Sequence, residues 1–431
     1  MTSDGGGGDA GADGRVYPDA RLFDRVEVAP LARLLDEDVG DMHVGGPCWP
    51  EGEAAAALRY LDHEGRPLDR PTPRGRGGAA EVETVPGTWW WIGPLTRHFG
   101  HFLSEFATRI RPVLDHDPQA RLVFARSFGG PFPAPRAAPS FVEAVLDWHG
   151  AALDRVRFVD RPTRFERLGS CPQPERLYPG PESAPRTPYL DALSARLRAR
   201  LGPRRAEGTI YVSRARAQRL YAGEIEVEAA MAAAGVRVVH PETLPLAEQL
   251  ATIRNAETAI FAEGSALHLL QLGGRDFGRI VVLTRRPGHR MAEHLLAPRC
   301  EELIYLDTAE RLLAGHKPQG DVRISEGLCV PSPERIEAAL APLGVDLGGR
   351  IDRAAFRREA GRDLRRFART LRRTSFGRGG RSVQAMASGA LASGLPGRRR
   401  AVASIVLAWG RAALARRLAR LSSGRSGRRG S

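Results

Sequence analysis

The sequence predicts an α/β fold in two lobes, and two observations carry that prediction. From about residue 84, short apolar, β-branched runs alternate with runs of helical composition, the pattern of parallel strands joined by helices. The alternation also comes as two successive series. The chain has 431 residues and is 42% hydrophobic, enough for two or three domains with a sizeable core.

In the first series, "TWWWIGPL" reads as a strand entering a loop and "HFLSEFATRIRPVL" as a helix. "RLVFARSF" is a buried strand, "SFVEAVLDWHG" a helix and "RVRFVDRP" another strand. "TPYLDALSARLRARLG" closes the series as a helix, with Thr187 as N-cap, Pro188 in the first turn and Gly202 past the end. In the second series, "GTIYVSRAR", "VRVVHPETL", "TAIFAEGSA" and "RIVVLTRRP" are the strands. "EIEVEAAMAAAG" and "LAEQLATIRNA" are the helices, and "LHLLQLGG" starts as a short one. Two such series predict two Rossmann-like lobes, over 16–203 and 204–349, after a glycine-rich leader at 1–15 that reads as disordered.

The charge is uneven. The net charge is +14, but from Gly349 onward 22 arginines face three acids, a net +19, so the rest of the chain carries −5. Residues 350–431 therefore read as a basic C-terminal tail, partly disordered or helical, appended to a mildly acidic body. "RIDRAAFRREAGRDLRRFARTLRR" and "RRRAVASIVLAWGRAALARRLARL" suit basic helices, and the small residues between them suit a linker. Cys48, Cys171, Cys300 and Cys329 form no CxxC pair, which argues against a disulfide framework or a zinc knuckle. The N-terminus has no signal-peptide pattern, and no run reaches the ~20 apolar residues that span a bilayer. The chain reads as cytoplasmic.

Three stretches can carry chemistry. In "GHFLSEFATR" helical spacing sets His101, Glu105 and Arg109 on one side, either as a surface ion pair beside a packed histidine or as a polar stripe facing a cleft. In "TIYVSRARAQRLYAGEIEV" a strand delivers Ser213, Arg214, Arg216 and Arg219 into a loop ahead of Glu224 and Glu226. Loops at the carboxyl ends of parallel strands line ligand crevices, and guanidinium groups there suit a phosphate. The alternative is plain pairing of those arginines with the glutamates. In "TAIFAEGSALHLL" a strand ends in a Gly264–Ser265 turn whose free N–H groups and helix dipole favour an anion, or which is simply a tight turn capped by Ser265. His268 follows within that helix and equally suits packing. Neither G-x-G-x-x-G nor G-x-x-x-x-G-K-[ST] occurs, which argues against dinucleotide binding and P-loop ATP hydrolysis. "WWW" at 89–91 reads as core or as a stacking surface for a sugar or base.

Taken in order, these anchors resemble glycosyltransferase family 61, including its bacterial members of capsular and exopolysaccharide biosynthesis. "HFLSE" with Arg109 is similar to the family's His-Phe-x-x-Glu helix. "IYVSRARAQRLYAGEIEV" is similar to its strand, Ser-Arg loop and acidic helix start. "PLAEQLATIRNAETAIFAEGSALHLL" is similar to its third block. Gly223 stands where the family usually has Asn, and Glu263 where it often has His.

The resemblance spans about 85–310 and implies a GT-B-like fold and an inverting transfer from a nucleotide-sugar, UDP-linked, to a glycan or lipid-linked glycan acceptor. It places the acceptor with 16–203 and the donor with 204–349. Arg109, Ser213, Arg214, Arg219, Gly264, Ser265 and His268 would bind the donor. Glu105 would be the base, with His101 and Glu263 as rivals. No metal or other cofactor is implied.

Two readings compete. One is a metal-dependent hydrolase built on His98, His101 and Glu105, although no HExxH accompanies them. The other is an interaction protein acting through 350–431. Its sparse aromatic residues make nucleic acid the poorer partner, and a basic amphipathic helix suits an anionic membrane surface, at the inner face of the plasma membrane.

Overall fold

Strands buried on both faces are largely apolar, and residues 122–126 and 258–262, apolar but for Arg126 and Thr258, are buried at every position. The computed structural model describes residues 19–36, 42–61, 66–67, 69–70, 82–126, 140–180, 183–217, 220–316, 322–371, 376 and 380–426. The glycine-rich leader, Arg219 and the last five residues lie outside them. Two units divide the chain, one of Met1–Leu35 with Met42–Ala192 and the other of Asp36–Asp41 with Leu193–Ser431. Both are α/β.

The first unit is built from β1 (Arg21–Asp36), β2 (Met42–Pro47), α1 (Glu53–Ala56), β3 (Asp69–Arg70), β4 (Glu83–Leu95), α2 (Phe99–His101), α3 (Ile110–His116), β5 (Leu122–Arg126), α4 (Ser140–His149), β6 (Val156–Val159) and β7 (Thr163–Ser170). α5 (Thr187–Leu201) runs across the division and ends, as its sequence predicts, at Gly202 with φ 73°. The seven strands lie in the order β3-β2-β1-β7-β4-β5-β6. β7, β4, β5 and β6 are mutually parallel, but β1 joins β7 antiparallel. The sheet is therefore mixed rather than the purely parallel one expected. Trp90 and Trp91 are buried in it and are core, whereas Trp89 is half-buried with the Arg121 guanidinium 4.6 Å over its ring. The single helix expected over 101–114 is broken. After α2 comes a π turn, Phe102–Phe106, in which Ala107 N–H reaches back to the Phe102 carbonyl, before α3 begins.

The second unit continues with β8 (Thr209–Val212), α6 (Glu224–Ala233), β9 (Arg237–Val239), α7 (Leu246–Asn255), β10 (Thr258–Ala262), β11 (Phe277–Leu283), α8 (Glu293–Leu296), β12 (Cys300–Leu306), a hairpin of β13 (Ala309–Leu313) and β14 (Leu328–Pro331), and α9 (Pro333–Leu340). Its five-stranded sheet is parallel throughout, in the order β9-β8-β10-β11-β12. The chain winds one way from β8 to β9 and the other way from β8 to β10. That reversal makes the carboxyl ends of β8 and β10 a topological switch point, where open α/β sheets bind ligands.

The described residues of 350–426 pack onto the second unit. They supply α10 (Arg353–Thr370), α11 (Arg381–Ala392) and α12 (Arg398–Ser426). Phe356, Ala360, Leu364, Phe367, Met386 and Ile405 share one buried cluster with Tyr221, Val227, Met231 and Leu328 of the Rossmann-like part. The reason is visible in α10, where Phe356, Ala360, Leu364 and Phe367 repeat at helical spacing and leave the arginines on the other face. The segment expected as a linker contains α11 for the same reason, with Met386 and Ala390 buried. Gly223 makes the tightest join. It caps α6 at φ 76°, a Cβ there would lie 2.6 Å from the Phe356 ring, and its N–H donates to Asp363 of α10 at 3.0 Å. Replacing Phe356 by Ala should therefore cost about 3–5 kcal/mol, read as an earlier urea transition of the second unit.

Candidate functional site

Three neighbouring parallel strands, β8, β10 and β11, end beside one another in the second unit. Each strand end leads into charged residues. Ser213 and Arg214 come after β8, Glu263 and Gly264 after β10, and Arg285 and Arg286 after Thr284 at the end of β11. All three arginines are buried, to 9%, 5% and 8% exposure.

Arg214 lies across Gly264. Its Nη1 donates to the Glu263 carbonyl at 2.7 Å, and a Cβ on residue 264 would fall 2.3 Å from its Nε. Gly264 has extended backbone, φ 174°, so glycine is needed here for space and not for its turn. It precedes a 3₁₀ helix, Ser265–Leu272, that starts with Ser265 as its first residue and Gly264, not Ser265, at the cap. The N–H groups at that start have no intrahelical acceptor.

Glu263 holds the third loop. One oxygen accepts the Arg285 N–H at 2.5 Å and the Arg286 N–H at 3.1 Å, and the other pairs with the Arg286 guanidinium. Arg285 donates to the carbonyls of Gly327 and Ser325, at 2.8 and 3.0 Å, while its buried Nε has no hydrogen-bond partner among the described residues. Burial, then the charge of Arg214, pushes the Arg285 guanidinium down to about 10, despite Glu263. Arg214 is likewise held below its ordinary value, by burial first and by Arg286 among its neighbours. His289, beyond Arg286, is also lowered, by burial and then by the Arg286 charge. Three crowded cations around one buried carboxylate favour an added anion.

Beneath Arg214 sits a second carboxylate. Oε1 of Glu224, at the start of α6, accepts the Arg214 N–H at 2.7 Å and the hydroxyls of Tyr211 and Ser213, each at 3.1 Å. Its Oε2 is buried without a hydrogen-bond partner among the described residues. Burial raises the Glu224 carboxyl to about 7, opposed mainly by the bond from Arg214 N–H and the Arg214 charge. The Ser213 hydroxyl also meets Glu228 and accepts the Ala215 N–H at 2.9 Å. The one Ser213 hydroxyl proton can be donated to only one of these two carboxylates at a time.

In the first unit the π turn sets His101 against Glu105. His101 Nδ1 and Glu105 Oε1 are 2.5 Å apart, with the carboxylate side chain 3% exposed and the imidazole 28%. A buried carboxylate orienting a more exposed imidazole is the arrangement of a histidine base and its partner. Gln173 donates to the Glu105 carbonyl at 2.9 Å and so braces the turn.

Several sequence-predicted roles change. Arg109 is fully buried; it donates to the carbonyls of Cys171, Leu58 and Ile92 and lies 4.3 Å over the Tyr60 ring. These contacts tie the turn to β4 and to the segments around Leu58 and Cys171. Ser213 is 2% exposed and turned to the glutamates, so it positions the loop. His268 is 5% exposed and bonds Gln271 at 2.6 Å within its own helix. Glu263, expected as a rival base, has both carboxylate oxygens engaged by Arg285 and Arg286. His98 Nδ1 caps α2 by accepting the His101 N–H at 3.3 Å, and among the described residues no group of three His, Cys, Asp or Glu could hold a metal ion. Arg214, Gly264 and Ser265 do converge. Arg285 and Arg286 and the buried, raised carboxyl of Glu224 were missed, and for the two arginines the position rule applied to a third strand end would have found them.

The raised Glu224 carboxyl carries a pH signature. The folded state holds this proton up to about pH 7 and the unfolded chain loses it near 4.5, the ordinary value, so stability is full below the lower value and falls as pH rises through the upper one. Glu224→Gln should flatten that fall, which amounts to about 3 kcal/mol at full weight, in melting curves taken from pH ~4 to 8.

Residues 99–272 of the 431 match the family model described as Glycosyltransferase 61. No curated protein matches the chain. The matched segment takes in the His101–Glu105 turn, the Arg214 loop and the Gly264 turn, and it ends before Arg285 and α10–α12. Over that segment, which holds all three sequence anchors, the chain is similar to glycosyltransferase family 61.

Proposed function

We propose that this chain is an inverting, GT-B-like glycosyltransferase that moves a sugar from a nucleotide-sugar, UDP-linked, to a glycan acceptor in polysaccharide biosynthesis of the capsular kind. The observation that carries this is the convergence of Arg214, Arg285 and Arg286 with the Gly264 bend at the switch point of the second sheet. Charge of that sign, desolvated and pre-positioned, stabilises a leaving diphosphate as its bond to the sugar breaks. The N–H groups of the Ser265 helix start add to it. The second unit is then the donor side.

The acceptor chemistry falls to the first unit. An acceptor hydroxyl oxygen attacks the anomeric carbon, the carbon–oxygen bond to the diphosphate breaks on the opposite face, and configuration inverts. The hydroxyl proton passes to the His101 imidazole, which Glu105 holds in one tautomer and whose positive charge it then balances. This gives Glu105 the positioning role and His101 that of base, the reverse of the order the sequence suggested.

Melting the full chain with UDP tests the donor half. UDP should raise the transition of the wild type, and Arg214→Ala should weaken UDP about 10- to 100-fold. Equal affinity in a folded Arg214→Ala removes the proposal. His101→Ala should lower transfer by about 100- to 10,000-fold while UDP affinity stays at the wild-type value. Turnover at the wild-type rate would remove His101 from the role.

A further inference from the structure

α12 is covered on one side and open on the other. Ala401, Ile405 and Ala412 lie in the core of the second unit. The opposite side carries Ala403, Val406, Leu407, Gly410 and Leu414, whose spacing makes one continuous stripe along a helix. Val406 is 46% exposed, Leu407 60% and Leu414 59%. Arg399, Arg400, Arg411 and Arg417 stand exposed around the stripe. Leu391, at the end of α11, adds a further apolar side chain at 49% exposure. From Arg381 to Ser426 there are nine arginines and no acidic residue. Beside the stripe, a groove lined by Ala368, Leu371, Leu407 and Ala412 carries Arg369 and Arg411.

We propose that this face of α12 lies on the surface of a bilayer that contains anionic lipid. The stripe enters the boundary between headgroups and acyl chains, and the arginines around it meet lipid phosphates. The helix lies on the bilayer and does not cross it, because among the described residues no helix is long and apolar enough to do so. A second copy of the chain is the wrong occupant, since symmetric pairing would set nine arginines against nine with no acid to meet them. A nucleic acid is also wrong, since it would engage the arginines and leave Val406, Leu407 and Leu414 in water, and the stripe offers no aromatic ring for a base. The face is tied to the candidate site within its own unit. α10 packs against α12 and also holds Gly223 at the start of α6, one residue from Glu224. The inference stands on exposure and charge and is independent of the transferase reading.

Flotation of the full chain with vesicles tests it, using phosphatidylcholine alone and phosphatidylcholine mixed with phosphatidylglycerol. The wild type should float with the mixed vesicles and not with the neutral ones. Leu407→Glu combined with Leu414→Glu, both at exposed positions, should lower binding by about tenfold or more with an unchanged melting curve. A wild type that stays at the bottom of the gradient with phosphatidylglycerol overturns the proposal, as does a double variant that floats equally well. So does single-stranded DNA binding that the double variant retains, or a dimer in gel filtration that it abolishes.

Discussion

Glu263 is buried at the end of β10, and its two oxygens gather the Arg286 guanidinium and the N–H groups of both Arg285 and Arg286. Without that carboxylate the loop after β11 would have no anchor beside the loop after β10, and three desolvated guanidinium groups would face one another. A buried ion pair contributes little net stability, because desolvation offsets the attraction, but removing one member leaves a charge uncompensated. The pair is therefore better understood as a constraint on position. It fixes where Arg286 and Arg285 sit, and its own backbone carbonyl fixes Arg214. The glycine that follows completes the arrangement, because any side chain at 264 would displace the Arg214 guanidinium.

Glu224 works from the other side of the same arginine. It holds the Arg214 backbone while Glu263 holds the side chain, so the position of Arg214 is fixed at both ends. The two carboxylates differ in surroundings. Glu263 meets a guanidinium and two backbone donors, whereas Glu224 meets hydroxyls and one backbone N–H and keeps a bare buried oxygen. Burial without a direct guanidinium partner is why Glu224 titrates near neutrality.

Much of this was legible in the sequence where local pattern and burial agree. β8, β10 and β11 are apolar and β-branched, and each was readable with the loop that follows it. β7 was not, because Arg164, Glu166 and Arg167 interrupt Phe165 and Leu168, and only tertiary pairing makes it central to its sheet. The spacing of His101 and Glu105 was readable, but not the π turn that narrows it, nor which of the two is exposed. Arg109 misled for the opposite reason, since helical spacing set it on the polar stripe while the fold buries it under three carbonyls. Glu263 and Arg286 are 23 residues apart, and no local signal joins them.

The C-terminal helices show how composition can mislead about architecture. Arginine counts alone make 350–431 look like a solvated appendage, because every charge is tallied and the alternating Phe356, Ala360, Leu364 and Phe367 are not weighed by position. Once α10 is packed, Gly223 has a physical reason. The residue before the acidic helix start must accept the Phe356 ring, hold φ 76° and give its N–H to Asp363, and an asparagine Cβ would meet the ring at 2.6 Å. Gly223 and the helix that follows residue 350 are thus fitted to each other, and the contact links the Arg-rich helices to the element that carries Glu224.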